Sequence, residues 1–252
     1  MNLNNLNQHL LTDRDVINYL VNEVGTNLEN PIVEIGPGTG NITNELVKLD
    51  RKIFAVEKDK IMANQLQETY GNKINVINKN IINYKLPTGS IVVGNIPFNI
   101  TEPLIEKLIK SDISYCLLIF GSNFGNKIIM TDTITKLGLL VNCFFQPNII
   151  LNINKKSFSP IPRTNAELIK LVPHLPSKPS LKVMREIFLQ RNKLLKNSLL
   201  ESLTIVLSLT KNESRELVGR MQINFVDERK LENLNNQEIA LLFRSLEGVL
   251  NS

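Results

Sequence analysis

At 252 residues, with 29 Lys and Arg against 24 Asp and Glu and 42% hydrophobic side chains, the chain can bury a full core plus a smaller companion domain, which excludes a disordered polyelectrolyte. Two cysteines, Cys116 and Cys143, in apolar runs exclude a disulfide scaffold, no apolar run is long enough to span a membrane, and the start, Met1-Asn2-Leu3-Asn4, is no signal peptide, so a cytoplasmic protein is expected. The net charge of +5 is uneven: residues 1–150 carry 13 basic and 14 acidic side chains, residues 151–252 carry 16 and 10, which suits either a polyanion met by the C-terminal end or a solvated basic face.

In chain order, Thr12 with Asp15 three residues on predicts a cap for a helix carrying Val16, Leu20 and Val24, closed by Gly25. Pro31–Gly36 reads as a buried parallel strand that breaks into Pro37-Gly38-Thr39-Gly40, with a helix over 41–49. A second strand, Lys52–Glu57, precedes a helix to Tyr70, and a third, Ile74–Ile77, ends at Lys79-Asn80. The fourth strand holds Val92-Val93-Gly94, Thr101 caps a helix through Lys110 with Pro103 in its first turn, and Tyr115–Phe120 is the fifth strand. Asn142–Ile153 and Ala166–Val172 predict two closing strands, one of them free to run antiparallel, joined through Ser157-Phe158-Ser159-Pro160-Ile161-Pro162.

This alternation predicts an α/β fold with a doubly wound, seven-stranded sheet over residues 1–173. Pro173–Pro179 reads as a linker, and residues 174–252 as a small all-helical domain. There Leu181, Met184, Phe188, Leu195 and Leu199 share one helical face, and Lys182, Arg185, Lys193 and Lys196 fall within an arc of about 80° beside it. That arc suits a grip on phosphates or a plain solvated surface.

Two stretches carry chemistry. Val92-Val93-Gly94 runs into Asn95-Ile96-Pro97-Phe98, a strand ending at a sharp bend because Pro97 bars further ladder pairing. Asn95 offers a side-chain acceptor, Ile96 a backbone carbonyl and Phe98 a flat face, the set that a planar amino group on a base needs; the same residues also read as strand, turn and core Phe. Glu34-Ile35-Gly36-Pro37-Gly38-Thr39-Gly40 sits at the first strand-to-helix turn, and Glu57, 21 residues after Gly36, ends the second strand where a carboxylate can accept both hydroxyls of a ribose. Together they indicate a nucleoside-bearing cofactor. A nicotinamide oxidoreductase would show G-x-G-x-x-G to seat a pyrophosphate. Here the spacing is Gly36-x-Gly38-x-Gly40, with the acid Glu34 two positions ahead, which suits the sulfonium and amino group of S-adenosylmethionine. Asn80 is placed to bond an adenine or simply to make a turn. Two histidines and no ligand cluster predict no metal.

The run Gln8-His9-Leu10-Leu11, then Glu34–Gly40, Glu57, Asn95-Ile96-Pro97-Phe98, Ser157–Pro162 and Arg191–Ser198 resembles the ribosomal RNA adenine N6-dimethyltransferases along essentially the whole chain. That family includes enzymes that dimethylate two adjacent adenines near the 3′ end of small-subunit RNA, and macrolide-resistance enzymes acting on large-subunit RNA. The resemblance implies a Rossmann-like, S-adenosylmethionine-dependent methyltransferase sheet and an RNA-facing helical end, acting as a monomer on ribosomal RNA or an immature small subunit. It puts His9, Leu11, Gly36, Glu57, Asn80 and Asn95 at the cofactor, where the glycine turn also places Glu34, Gly38 and Gly40. Asn95 and the Ile96 carbonyl, in the turn made by Pro97, hold the target amino group; Phe98 stacks on the base and Phe158 covers its other face. Lys182, Arg185, Lys193 and Lys196 face RNA.

The chain departs from that pattern in three places. Asn80 stands where Asp is usual, Phe120–Lys127 differs from the usual Gln/Lys/Glu-type segment, and no basic arm precedes Gln8. Asn80, an uncharged acceptor, implies weaker cofactor affinity; the other two touch RNA-facing regions, leave the reaction class intact and bear on which RNA is read. A non-catalytic RNA-binding assembly or transcription factor on the same fold is the rival of another class, disfavoured by the intact Asn95 and Phe98.

Overall fold

The computed structural model describes residues 9–25, 29–128, 133–221, 223 and 229–250, apart from the Phe98 side chain. Gln8 of the Gln-His-Leu-Leu run and the Phe98 ring therefore lie outside the described residues.

Strand β1 (Leu10–Leu11) precedes helix α1 (Arg14–Val24). Asp13, not Thr12, is the cap: its carboxylate accepts the amides of Asp15 and Val16, the first turn's orphan donors. Thr12 instead gives its hydroxyl to the Ser157 carbonyl at 3.2 Å. Then follow β2 (Ile32–Ile35), α2 (Thr43–Leu46), β3 (Ile53–Glu57), α3 (Lys60–Tyr70), β4 (Asn75–Asn78), β5 (Ser90–Asn95) and α4 (Thr101–Ile109). Thr101 opens α4 rather than capping it; Ile100 holds the cap position without a side-chain bond. Next come β6 (Ile113–Gly121), α5 (Ser122–Ile128), α6 (Lys136–Phe144), β7 (Phe145–Ile153), β8 (Phe158–Ser159) and β9 (Ala166–Pro173). Four helices close the chain: α7 (Pro179–Leu189), α8 (Leu195–Leu207), α9 (Lys211–Arg220) and α10 (Asn236–Leu250).

The seven-stranded sheet has the order β4-β3-β2-β5-β6-β9-β7, with β1 and β8 forming a separate antiparallel pair. From β4 through β6 neighbours run parallel, and β9 runs antiparallel to β6. All four residues of β2 are buried, as a strand covered on both faces requires. The chain winds from β2 outward to β3 and β4, then returns to the other side of β2 with β5 and β6. The order reverses between β2 and β5, and Ile35 pairs with Gly94 there. The next residues on the two strands, Gly36 and Asn95, are thereby brought side by side at the carboxyl edge, where ligands of such sheets bind.

By contacts the chain divides into two compact units: Met1–Gly125 with Pro147–Pro173, and Asn126–Gln146 with His174–Ser252. The first is built on the sheet, with Leu20, Ile32, Leu46, Ile91, Leu117 and Leu168 in its core. In the second, α7 packs on α6, α8 and α10, and α8 on α9. This unit takes in residues 126–146, which the sequence reading leaves in the first domain.

Two further expectations are corrected. The strand expected from Asn142 begins only at Phe145, because residues 136–144 are helical, capped by Thr135 accepting the Gly138 amide. Leu139-Leu140-Val141 and Cys143-Phe144 are all buried, so their apolar run carries no period that separates helix from strand. The single helical face through Leu181–Leu199 is also broken. α7 stops at Leu189, and Leu194 bridges Lys230 while the Leu195 amide donates to the Arg229 carbonyl. Lys182 and Arg185 therefore sit on one helix, Lys196 on the next and Lys193 between them, so the four cations share no common arc.

Candidate active site

A cleft opens at the carboxyl edge where β2 and β5 end. Gly36 and Gly38 line one side, Asn95, Ile96 and Pro97 the next, and Phe158 with Pro162 a third. Its interior of about 100 Å³ is several times what one water needs. Gly36 and Gly38 both adopt left-handed φ, 60° and 58°, and a Cβ at Gly38 would meet Leu10 Cδ2 at 3.0 Å. The loop is thus shaped by glycine so that backbone, not side chain, faces the cleft.

The acids behind this loop are buried. Glu57, 3% exposed, holds it from below: Oε2 accepts the Gly38 amide at 3.2 Å and Oε1 the Asp59 amide at 2.8 Å. Each oxygen keeps a second lone pair for a ligand hydroxyl. Glu34, 1% exposed, accepts the Thr43 hydroxyl through Oε2 at 2.6 Å, while Oε1 has no partner among the described residues. Burial, opposed by the Thr43 bond and reinforced by the Glu57 charge, raises the Glu34 carboxyl to about 7. A buried carboxylate oxygen lacking a partner is a seat for a cationic or hydrogen-donating group.

Asn95 is half-buried, and its side-chain NH₂ donates to the His9 carbonyl at 2.6 Å. A carbonyl only accepts, so the amide's oxygen must face away from His9. The Ile96 amide donates to the Ile119 carbonyl at 2.9 Å, and Pro97 accepts from Ile100 at 3.2 Å, fixing the turn. Leu11 pairs with Phe158, so the start of the chain crosses to the wall of the cleft.

The structure thus gathers His9, Gly36, Gly38, Asn95, Ile96, Pro97 and Phe158 around one space. Leu11 is not among them: its side chain is in the core, its carbonyl accepts Asn41 Nδ2 at 2.7 Å, and Leu10 lines the cleft instead. Gly40 packs on Tyr70, whose hydroxyl would lie 2.5 Å from a Cβ there. Asn80 ends the loop after β4 and accepts the Ile82 amide at 3.0 Å. In the helical unit Lys182 is exposed, the Arg185 guanidinium lies 4.4 Å from the centre of the Phe144 ring, and Lys193 pairs with Glu201.

Phe120, Gly121, Thr164 and Asn165 also line the cleft, a place the sequence did not assign them. Phe120 and Gly121 were within reach, since they end a parallel strand beside β5. Thr164 and Asn165 were not: they precede the antiparallel β9, whose entry meets the exit of β6 through tertiary pairing, Gly121 with Ala166 and the Ser122 amide with the Asn165 carbonyl at 3.0 Å. Lys155, Lys156 and Arg163 are exposed on the loops bearing Phe158 and Asn165, and the Lys155 amide donates to Asn165 Oδ1 at 3.1 Å. The Lys155-Lys156 doublet ahead of the Ser-Phe-Ser-Pro motif was the overlooked signal.

Comparison with known proteins decides the family. The profile of the ribosomal RNA adenine dimethylases matches residues 2–242. The chain belongs to that family. The ribosomal RNA adenine dimethylases are S-adenosylmethionine-dependent enzymes that methylate adenine in ribosomal RNA, and this protein is one of them. The ribosomal RNA small subunit methyltransferase A of Halothermothrix orenii is 30% identical over 228 residues, covering 80% of this chain and 75% of its own. A dimethyladenosine transferase from Plasmodium falciparum is similar in structure with a TM-score of 0.64 at 21% identity, covering 96% of this chain and 98% of that one. The 23S rRNA methyltransferase ErmE gives 0.63 at 19%, covering 94% and 99%. At such identities both structures speak for the fold of an adenine dimethylase alone, and they do not divide the two ribosomal subunits.

Proposed function

We propose that this chain seats S-adenosylmethionine on the Gly36–Gly38 loop and dimethylates two adjacent adenines near the 3′ end of small-subunit ribosomal RNA, in the cytoplasm, during subunit assembly. The observation that carries the reading is the single cleft joining Gly36 and Gly38 to Asn95, Ile96, Pro97 and Phe158. The choice of subunit is supported by the name of the Halothermothrix orenii relative.

The bound cofactor supplies a methyl already activated on a sulfonium; the protein supplies place and polarity. Glu34 Oε1 takes a hydrogen-donating or cationic group of the cofactor, and Glu57 its ribose hydroxyls. An adenine amino lone pair is delocalised into the ring and is a weak nucleophile. Asn95 Oδ1 and the Ile96 carbonyl accept its two hydrogens, draw them out of the ring plane and localise the lone pair toward the donor. With the cofactor bound, holding both reactants in one cleft would supply much of the rate. Extruding the base costs a few kcal/mol, which stacking of roughly 1–3 kcal/mol per aromatic face offsets; Phe158 forms one wall for it. Lys155, Lys156 and Arg163 hold the phosphates flanking the cleft.

Labelled methyl transfer, run separately on unmodified small-subunit particles and on large-subunit RNA, tests the reading. Incorporation is expected in the first. Label only in the second makes this a large-subunit enzyme, and label in neither removes the catalytic reading.

A further inference from the structure

The family reading gives His9 a cofactor contact and nothing more. Its backbone carbonyl does something else: it takes the Asn95 side-chain NH₂ at 2.6 Å. A primary amide can sit either way round at similar cost, and only one way presents an oxygen to an incoming amino group. Turned over, Asn95 would face that group with its own NH₂, donor against donor. The His9 carbonyl forbids the flip because it cannot donate.

What holds that carbonyl still is the His9 ring. Its Nδ1 lies 2.7 Å from the Pro160 carbonyl, which only accepts, so Nδ1 carries the hydrogen and donates it. The segment continues into the same wall. Leu10 pairs with Ser159 and Leu11 with Phe158, and the Thr12 amide donates to the Ser157 carbonyl at 2.9 Å. Asn41, one residue past the glycine loop, donates to the Leu11 carbonyl at 2.7 Å. The strap His9–Thr12 is thus tied to the cofactor loop, the Asn95 turn and the Phe158 strand at once.

We infer that His9 is a positioning residue: its ring anchors the strap to Pro160 so that its carbonyl keeps the Asn95 amide turned with the oxygen into the cleft. The inference rests on the proposed reading that Asn95 accepts the target amine.

The test compares His9→Ala, His9→Asn and His9→Phe. Ala and Phe remove the donor to Pro160, and Asn keeps one. For Ala and Phe, kcat is expected to fall about tenfold or more, with KM for cofactor and for RNA within threefold of wild type; Asn recovers most of the loss. Independently of RNA and of activity, the ¹⁵N side-chain amide signal of Asn95 should shift and exchange faster with solvent in Ala and Phe, but not in Asn. Should the Ala variant fail to fold, Phe against Asn carries the comparison. A rise in cofactor KM with kcat at saturation unchanged, or an Asn95 amide signal indifferent to all three substitutions, overturns the inference. Failure of the wild-type enzyme to methylate any ribosomal RNA would instead strike the proposed function, and the amide signal would still report on His9.

Discussion

In the proposed function the Asn95 amide serves as an acceptor because of the way it faces, and Glu34 offers a place for a cation because one oxygen lacks a partner. The first depends on His9, distant in sequence; the second on burial of Glu34, whose other oxygen is taken by Thr43. The Glu34 carboxyl also makes a prediction about pH. Its folded pKa is raised from the ordinary 4.5 to about 7, chiefly by burial. The folded chain therefore holds the proton more tightly than the unfolded chain. The resulting stabilisation is fully present below the unfolded value and is lost as pH rises through about 7. At 1.4 kcal/mol per unit, this amounts to about 3 kcal/mol. Glu34→Gln keeps the neutral shape at every pH. Thermal melts of the cofactor-free protein should show wild type losing Tm relative to the variant between pH 5 and pH 8; parallel curves would contradict the assignment.

Among the elements, α5 and β9 show how one contact can reverse an ordinary preference. Gly125 lies within α5, where Ala would normally stabilise by about 0.5–1 kcal/mol. A Cβ there would fall 1.6 Å from Glu167 Oε2 and 2.7 Å from its Cδ. Gly125→Ala is therefore expected to destabilise by about 1–3 kcal/mol as an overpacked site. Adding Glu167→Ala should restore much of that loss, a coupling that a double-mutant cycle in urea would measure. Strictly additive effects would show that Glu167 is not the source of the cost. This contact was not legible in the sequence, because Gly125 and Glu167 meet only once β6 and β9 are paired. The parallel half of the sheet was legible: its buried β-branched strands and glycine-closed turns sit close in sequence to the residues that decide them. The same holds for Gly36, Asn95 and Phe158, whose motifs are local. α6 was misread because a helix apolar on every side has no stripe. The unbroken helix through Leu199 was misread because a bridge to Lys230 outweighed helical periodicity.

For the molecule as a whole, the order of winding does the functional work. The strand order reverses between β2 and β5, which run parallel, and this sets the Gly36 turn beside the Asn95 turn. The N-terminal strap and the β8 loop then close the remaining side with Leu10 and Phe158. Charge follows the same plan in an unexpected place. The basic excess lies in residues 151–252, but Lys155, Lys156 and Arg163 put part of it on the loops that carry Phe158 and Asn165, and Arg185 and Lys193 are engaged within the helical unit. The account stands or falls on Asn95. In single-turnover transfer from labelled S-adenosylmethionine to unmodified small-subunit particles, Asn95→Ala should slow the chemical step at least a hundredfold while its Tm stays within a few degrees of wild type. Transfer by that variant within threefold of the wild-type rate would contradict the account.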